Sequence, residues 1–423
     1  MSNSNGFKQT DIGTIPNEWE MSTLAEVMTI QSESTQPTSN GKSKYVGLEH
    51  IDSGNPSLKR WGTEGEVRSS KNKFYAGDIL YGKLRPYLDK VVLAQWEGMC
   101  ATDILVFRAK QEKAVSEYLV NLLHTSELLT HAISTTTGVN HPRTSWHALQ
   151  KFSFGLPPLP EQCTIAAILS KIQQAIETQE KIIERTKELK KSLMAKLFTE
   201  GLHGEELKET EIGLMPKSWE VVELRDVIEV KSGKRLPKGL ELVEHKTPFP
   251  YIRIVDMKNN SVDVDGMKYL LPEIRERIRK YIITADDVYI SIAGTTGLVG
   301  IIPQVLSGAN LTENAARLVM REKEKLSKRF LMYSLDAEFG KKQVKVLTTK
   351  TSQPKLALSR IETIKMGLPR IDEQSEIVES LTSIDSKVLV TEAKRVNLQS
   401  LFKSMLHQLM TGTIRVKNIE LPS

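Results

Sequence analysis

The stretch "GLPPLPEQ" (Gly155–Gln162) returns 212 residues later as "GLPRIDEQ" (Gly367–Gln374), and each copy opens a long run almost free of Gly and Pro. Proline fixes its own φ and pushes the preceding residue out of helical conformations, so both copies are extended where they begin. Pro160 ahead of Glu161 suits a first helical turn, and Asp372, Glu373 and Glu376 supply an acidic start to the second copy. The phrase reads as a hinge from strand to helix, used twice.

The rest of the chain repeats with it. "TDIGTIPNEWEMSTLAEV" (Thr10–Val27) matches "TEIGLMPKSWEVVELRDV" (Thr210–Val227) at an offset of 200. "FYAGDILY" (Phe74–Tyr81) resembles "ITADDVYI" (Ile283–Ile290) at 209, and "ATDILVF" (Ala101–Phe107) echoes "LTENAARLV" (Leu311–Val319). A repeat at this scale governs the fold before any local feature does. The ends of the two units match and their middles diverge. A constant scaffold with a varied working surface explains this, and so does neutral drift in loops; the residues alone leave both open. Trp19 and Trp219 occupy equivalent places in near-identical contexts, which suits scaffolding better than readout.

Within each unit, short β-prone runs are punctuated by Gly, Asn and Pro, as in a small mixed sheet. These are "DILY", "KVVLA" and "ILVF" in the first copy, and "FPYIRIV", "DVYISIA" and "LVGII" in the second. A helical stretch follows, Ser116–Ile133 or Lys328–Val344, then a polar loop, the Pro-containing phrase and a long helix. A heptad ladder runs along the first long helix through Ile165, Leu169, Ile172, Ile176, Gln179, Ile183, Thr186, Lys190, Leu193 and Leu197. Its counterpart carries Ile377, Leu381, Ile384, Val388, Thr391, Arg395, Leu398, Phe402, Met405 and Leu409. Seven and eight of the ten positions are apolar, the density of a coiled-coil seam. The polar positions gather mid-helix, where they either fix register or mark a bend in the seam. Helices of roughly 36 residues would be about 54 Å long.

The expected fold is therefore α+β: a pseudo-two-fold tandem repeat of two globular mixed α/β domains joined by two long antiparallel coiled-coil helices. The expected divisions are 1–160 and 205–372 for the globular domains, 161–204 and 373–415 for the helices with their linker, and 416–423 for a tail.

Composition narrows the function. At 39% hydrophobic and 26% charged residues the chain is of globular type, and it has no run of eighteen apolar residues that would span a membrane. The N-terminal "MSNSNGFKQT" has no apolar h-region, and the two cysteines, Cys100 and Cys163, form neither a disulfide framework nor a metal-spaced pair. A cytoplasmic location is expected. The net charge of +6 sits almost wholly in residues 205–372, with 29 basic and 24 acidic side chains. A nucleic-acid face or a solvated surface accounts for it equally. No phosphate loop, HExxH or Cys/His metal spacing occurs, and "GTTGLVG" (Gly294–Gly300) is followed by strand-prone residues where a dinucleotide loop needs a helix. "VDVDG" (Val262–Gly266) holds only part of a calcium loop and reads as a turn. Catalysis by this chain is not expected, nor a metal or cofactor of its own.

The duplicated plan resembles the DNA-specificity subunits of type I restriction-modification enzymes over essentially the whole chain. The likeness rests on "IGxxPxxWE" at Ile12–Glu20 and Ile212–Glu220, "GKLRPYLDK" at Gly82–Lys90, "SIAGTTGLVGI" at Ser291–Ile301 and the doubled "LP…EQ" phrase with its helix. The resemblance implies two target-recognition domains, each reading one half of a bipartite, asymmetric double-stranded DNA site. The helices would set the spacer and dock two methylation subunits, which would bind S-adenosylmethionine and methylate adenine N6. Two restriction subunits, where added, would bring ATP and Mg. Such a subunit needs no membrane.

Residues expected to touch DNA lie in polar or basic loops, for which solvated surface hairpins or plain linkers are the alternative. In the first unit these are Lys83, Arg85 and Tyr87, then Asn140, His141 and Arg143. In the second they are Lys231, Lys234, Arg235 and Lys238, then Thr295 and Thr296, then Lys350, Ser352, Gln353 and Lys355. Arg grips guanine or phosphate with a planar fork, Lys neutralises phosphate, and small polar groups on turns reach backbone and base edges. The rival reading is a solitary adaptor whose helices pair and whose domains bind protein, not DNA.

Overall fold

The computed structural model describes residues 6–349 and 354–416. Two units emerge, one made of 1–180 with 393–423 and the other of 181–392. Each therefore takes part of both long helices.

In the first unit a four-stranded antiparallel sheet has the order Val91–Leu93, Ile79–Gly82, Ile104–Ala109, Met28–Gln31. Beside it a five-stranded sheet runs Ser34–Thr35, Lys71–Phe74, Gly98–Cys100, Lys44–Val46, Gly62–Thr63, with one parallel pair between Gly98–Cys100 and Lys44–Val46. The second unit repeats the plan. Its four strands Val299–Ile301, Val288–Ser291, Ala315–Met320 and Ile228–Ser232 keep the same order. Its other sheet, Ile282–Ile283, Ala309–Leu311, Pro250–Ile252, Lys268–Tyr269, keeps the parallel pair and lacks the extra edge strand. The expected α+β repeat is the observed fold, and the β-prone runs named from sequence supply these strands.

Each expected helix in mid-unit is two helices. In the first unit Ser116–Leu122 and Ser126–Ser134 are separated where Thr125 turns extended and caps the second helix through its hydroxyl. His124 fills the break, its ring nitrogens 2.8 Å from Asp89 Oδ1 and 3.0 Å from the Val91 carbonyl. In the second unit the break between Lys328–Asp336 and Glu338–Leu347 falls at Ala337, whose backbone is extended. Helical periodicity runs through both breaks, so it does not reveal them.

The long helices, Leu159–Glu200 and Ile371–Met410, have 42 and 40 residues. At 1.5 Å per residue they are about 63 and 60 Å long, longer than expected. In the first unit Ile165, Leu169, Ile172 and Ile176 share one core with Leu398, Phe402, Met405 and Leu409. In the second, Leu193 and Leu197 share a core with Ile377 and Leu381. Ile183 is buried, while Ile384 and Val388 are half-buried. Low numbers on one helix meet high numbers on the other, so the pair is antiparallel. Polar seam positions carry specific contacts: Gln179 and Thr391 are buried, and Lys190 Nζ pairs with Asp385 at 2.6 Å, beside Lys187 with Glu392 at 3.5 Å. Ala166, Met194, Phe198, Leu406 and Met410 also bury themselves although off the strict heptad.

The opening phrase turns out to be a fastener. Trp19, 1% exposed, donates from Nε1 to Glu161 Oε2 at 2.9 Å, and Trp219 does the same to Glu373 at 3.0 Å. Gln162 donates to the carbonyls of Lys113 (3.0 Å) and Pro157 (2.9 Å) and accepts from Val115 N (3.1 Å). Gln374 repeats all three bonds with Lys325, Pro369 and Ser327. The Glu–Gln pair bolts each long helix to its globular part, which accounts for its double occurrence. Both tryptophans are structural, as equivalence suggested. Of the two thiols, Cys100 is buried, which pushes it up to about 12, and Cys163 is exposed on the first long helix.

Candidate nucleic-acid interface

In the first unit the two loops singled out from sequence form one surface. Lys83 N donates to Asp103 O at 2.9 Å, Thr144 N donates to Lys83 O at 3.0 Å, and Arg85 N donates to Pro142 O at 2.7 Å. Leu84 and Arg143 form an antiparallel bridge between the segments. Lys83, Arg85 and Tyr87 are thereby set beside Asn140, His141 and Arg143. Arg85, Tyr87, Asn140 and His141 are exposed and Lys83 is half-buried. Arg85 (φ 51) and Asp89 (φ 47) adopt left-handed backbone on either side of the turn Pro86–Leu88. That conformation costs a residue with a Cβ about 1 kcal/mol. The Arg85 bond to Pro142 and the Asp89 contact with His124 hold the loop there.

Arg143 has a second task. Its guanidinium meets Asp103 at 3.0 and 3.4 Å, so it pins the loop pair and offers less of its fork to a ligand than sequence reading assumed. Among the described residues no ion pair engages Lys83 or Arg85.

The second unit is stitched in the same way from other residues. Ile292 N donates to Asn314 O at 2.7 Å, Leu356 N donates to Ile292 O at 2.9 Å, and Ala293 bridges Lys355. These three contacts correspond to Lys83–Asp103, Thr144–Lys83 and Leu84–Arg143. Thr295 and Thr296 sit on a turn closed by Gly297 N to Ser291 O at 2.9 Å, with Gly294 and Gly297 at positive φ. Thr295 is exposed, as is Lys355. Thr349 N donates to Lys355 O at 3.0 Å, matching Thr137 and Arg143 in the first unit. Lys350, Ser352 and Gln353 lie outside the described residues.

The four cations of "KSGKRLPKG" (Lys231–Gly239) differ in what engages them. Lys231 belongs to the strand Ile228–Ser232 and pairs with Glu229 at 2.7 Å. Gly233 lets the backbone cross Thr312, since a Cβ there would lie 1.9 Å from its carbonyl oxygen. Beyond it, Arg235 is held by Glu313 at 2.6 Å and Lys234 lies 5.3 Å above the Tyr281 ring. Lys238 is exposed, and no ion pair is found for it among the described residues. Asn314 adjoins Glu313, so the Lys234–Arg235 segment, the 312–314 turn, the 293–297 loop and Lys355 are joined by successive backbone bonds. Sequence reading named the loops but missed the pins Asp103, Glu313 and Asn314. A lone acid or amide carries no signal of its own, even in the echoing segments "ATDILVF" and "LTENAARLV" that hold these three.

Among the described residues no group of three or more His, Cys, Asp or Glu could hold a metal ion. No described helix is long and apolar enough to cross a membrane.

Comparison with known proteins identifies the family and the fold. The type I restriction modification DNA specificity domain matches twice, over residues 16–188 and 216–400. The MjaVIII specificity subunit of Methanocaldococcus jannaschii is 26% identical over 430 residues, covering 98% of this chain and 97% of that protein. Among solved structures, the type I restriction-modification S subunit from M. genitalium aligns with a TM-score of 0.60 at 16% identity, over 97% of this chain and 98% of that one. A chain from a structure on complex assembly and conformational transition of the type I R-M system aligns at 0.58 and 19%, over 95% and 99%. With two tandem matches spanning most of its length, this chain belongs to the type I restriction-modification DNA specificity family and is a non-catalytic specificity subunit.

Proposed function

We propose that the chain reads a bipartite, asymmetric double-stranded DNA site, the first unit taking one half and the second the other. One observation carries the reading. The same backbone stitching presents a pair of loops in both units, yet the side chains on those loops differ. Equal presentation of unequal chemistry suits two readers of two different sequences. Lys83 and Arg85 in the first unit, and Lys234, Lys238 and Lys355 in the second, would supply phosphate contacts. Tyr87, His141, Thr295 and Thr296 stand where they could meet sugar or base edges. The globular parts 1–160 and 205–372 act as the readers, and the helices 161–204 and 373–415 act as spacer and docking surface for two methylation subunits. Those partners would hold S-adenosylmethionine and methylate adenine N6, and restriction subunits would add ATP- and Mg-dependent cleavage.

Methylome sequencing of cells with and without this chain tests the reading. A split motif with methyladenine in both halves should vanish on deletion. An unchanged methylome, or purified chain whose DNA binding ignores both sequence and salt, would favour a protein-binding adaptor.

A further inference from the structure

Resting on the DNA-reading function proposed above, we infer that the apex of the 137–143 hairpin, Val139 with Asn140, reads a single A·T base pair from the major groove. The apex is built to project. Thr137 and Arg143 exchange two backbone bonds of 3.0 Å, closing the hairpin at its base. Gly138 makes the turn at φ +91, and a Cβ there would lie 3.2 Å from the His141 carbonyl oxygen. At and just inside the base, the Arg143–Asp103 pair and the Arg85–Pro142 bond fix the hairpin to the neighbouring loop. What this pinned structure holds outermost is an isopropyl group, since Val139 is 97% exposed. Asn140 beside it is exposed, and no hydrogen bond of its carboxamide is found among the described residues.

An apolar group this exposed, at the tip of a polar, cation-flanked loop closed by backbone bonds, contributes nothing to a core. A linker would be served as well by Ser or Asp. The pair of side chains does, however, match one edge in DNA. In the major groove adenine offers N7 as acceptor and N6 as donor, the bidentate partner of an Asn carboxamide. The thymine paired with it shows a 5-methyl group on the same edge, the contact an isopropyl group makes. Cytosine in that place lacks the methyl and offers an amino group that Val139 cannot satisfy. The groove is about 12 Å wide, room enough for the apex of a loop closed by a single bridge. Lys83 and Arg85, from the adjoining loop, would meet the flanking phosphates.

The experiment uses the full-length chain and duplexes bearing the site mapped by methylome sequencing. Each thymine is replaced in turn by deoxyuridine, which removes only the methyl, and each adenine by 7-deazaadenine, which removes the N7 acceptor. At one A·T pair in one half-site, deoxyuridine should weaken binding by roughly threefold to fivefold, the value of one buried methyl. The 7-deaza change at that same pair should cost about tenfold. Val139→Ala should abolish the deoxyuridine effect and keep the 7-deaza effect, and Asn140→Ala should do the reverse. Both variants should treat the other half-site as the unaltered chain does. Since both positions are exposed, neither variant threatens folding. If binding stays sequence-specific but no thymine methyl is coupled to Val139, this inference fails and the two-reader function stands. If the unaltered chain shows no sequence-specific binding, the function proposed above fails, and the inference with it.

Discussion

Replacing Gln162 by Leu should unlock the first long helix from its unit at a cost of about 4 kcal/mol. Gln162 is 1% exposed and makes three bonds: to the carbonyl oxygens of Lys113 and Pro157, and from the amide of Val115. Leucine keeps the volume and gains some apolar burial but leaves all three backbone groups without partners. Three unsatisfied groups at about 1–3 kcal/mol each would cost about 3–9 kcal/mol, and the apolar burial gained together with rescue by local water brings the expected cost to about 4 kcal/mol, near the lower end. Hydrogen–deuterium exchange is the sharper assay because it reports by segment. Gln162→Leu should speed exchange around 113–116 by roughly a thousandfold, the factor that 4 kcal/mol sets on an opening equilibrium, and leave 325–328 unchanged. Gln374→Leu should do the mirror image, since it makes the same three bonds there. Destabilisation under 1 kcal/mol, or loss of protection spread evenly over both segments, would refute the idea that this residue bolts helix to unit.

Three further outcomes are expected. The Tyr118 hydroxyl is buried and finds no hydrogen-bond partner among the described residues, and its counterpart in the second unit is Phe330; Tyr118→Phe should therefore leave thermal stability unchanged or raise it by up to about 1 kcal/mol, where most buried tyrosines lose that much. Burial works against ionisation of Glu161, but bonds from Arg415 and Trp19 outweigh it and hold the carboxyl below its usual value. Its contribution is then complete above the unfolded value of about 4.3 and is lost as pH falls through the lower folded value, so Arg415→Ala should move acid unfolding to higher pH, followed by circular dichroism. Lys83→Ala and Arg85→Ala should each weaken DNA binding at all sequences and shallow the log–log salt slope by about one, measured by fluorescence anisotropy.

How much of this was legible in the sequence depends on what each residue answers to. The duplication, the strands and the long helices follow from patterns that burial imposes on many residues together, so they survive substitution at any one. Trp19 and Trp219 were readable as scaffold because sameness in two contexts is itself a pattern. The breaks at Thr125 and Ala337 were not, since one extended residue leaves helical periodicity intact on both sides. The joining of the two loops in each unit was hidden for a different reason. It is made by backbone groups of Lys83, Arg85, Ile292 and Leu356, and backbone bonds ask nothing of the side chain. Asp103 and Glu313 become visible as pins only once Arg143 and Arg235 are seen against them. The identical "EQ" in both copies was the one overlooked signal, because a helix start explains the acid but leaves the glutamine without a reason.

The two bolts differ in where they draw their last contact, and this bears on what a unit of this chain is. At the second bolt, Glu373 accepts from Leu202 N at 3.3 Å, and Gly201, at φ 66, lies against Pro216 and Trp219. Those residues follow the first long helix and lead directly into the second repeat. At the first bolt the matching place is taken by residues that follow the second long helix. Gly412, at φ 70, lies against Pro16 and Trp19, and Arg415 meets Glu161 at 2.8 and 2.9 Å. The first repeat is thus finished by the last described residues of the chain, with Val416 itself 1% exposed. Since Gly201 and Gly412 do the same work, the structural repeat begins just after each long helix and ends with the next one. The order of the repeat is circular while the order of the chain is not, and Arg415 supplies in the first unit what chain continuity supplies in the second. Where that backbone link is missing, the Arg415 guanidinium and the Val416 backbone amide both bond to Glu161 and hold the closing segment in place.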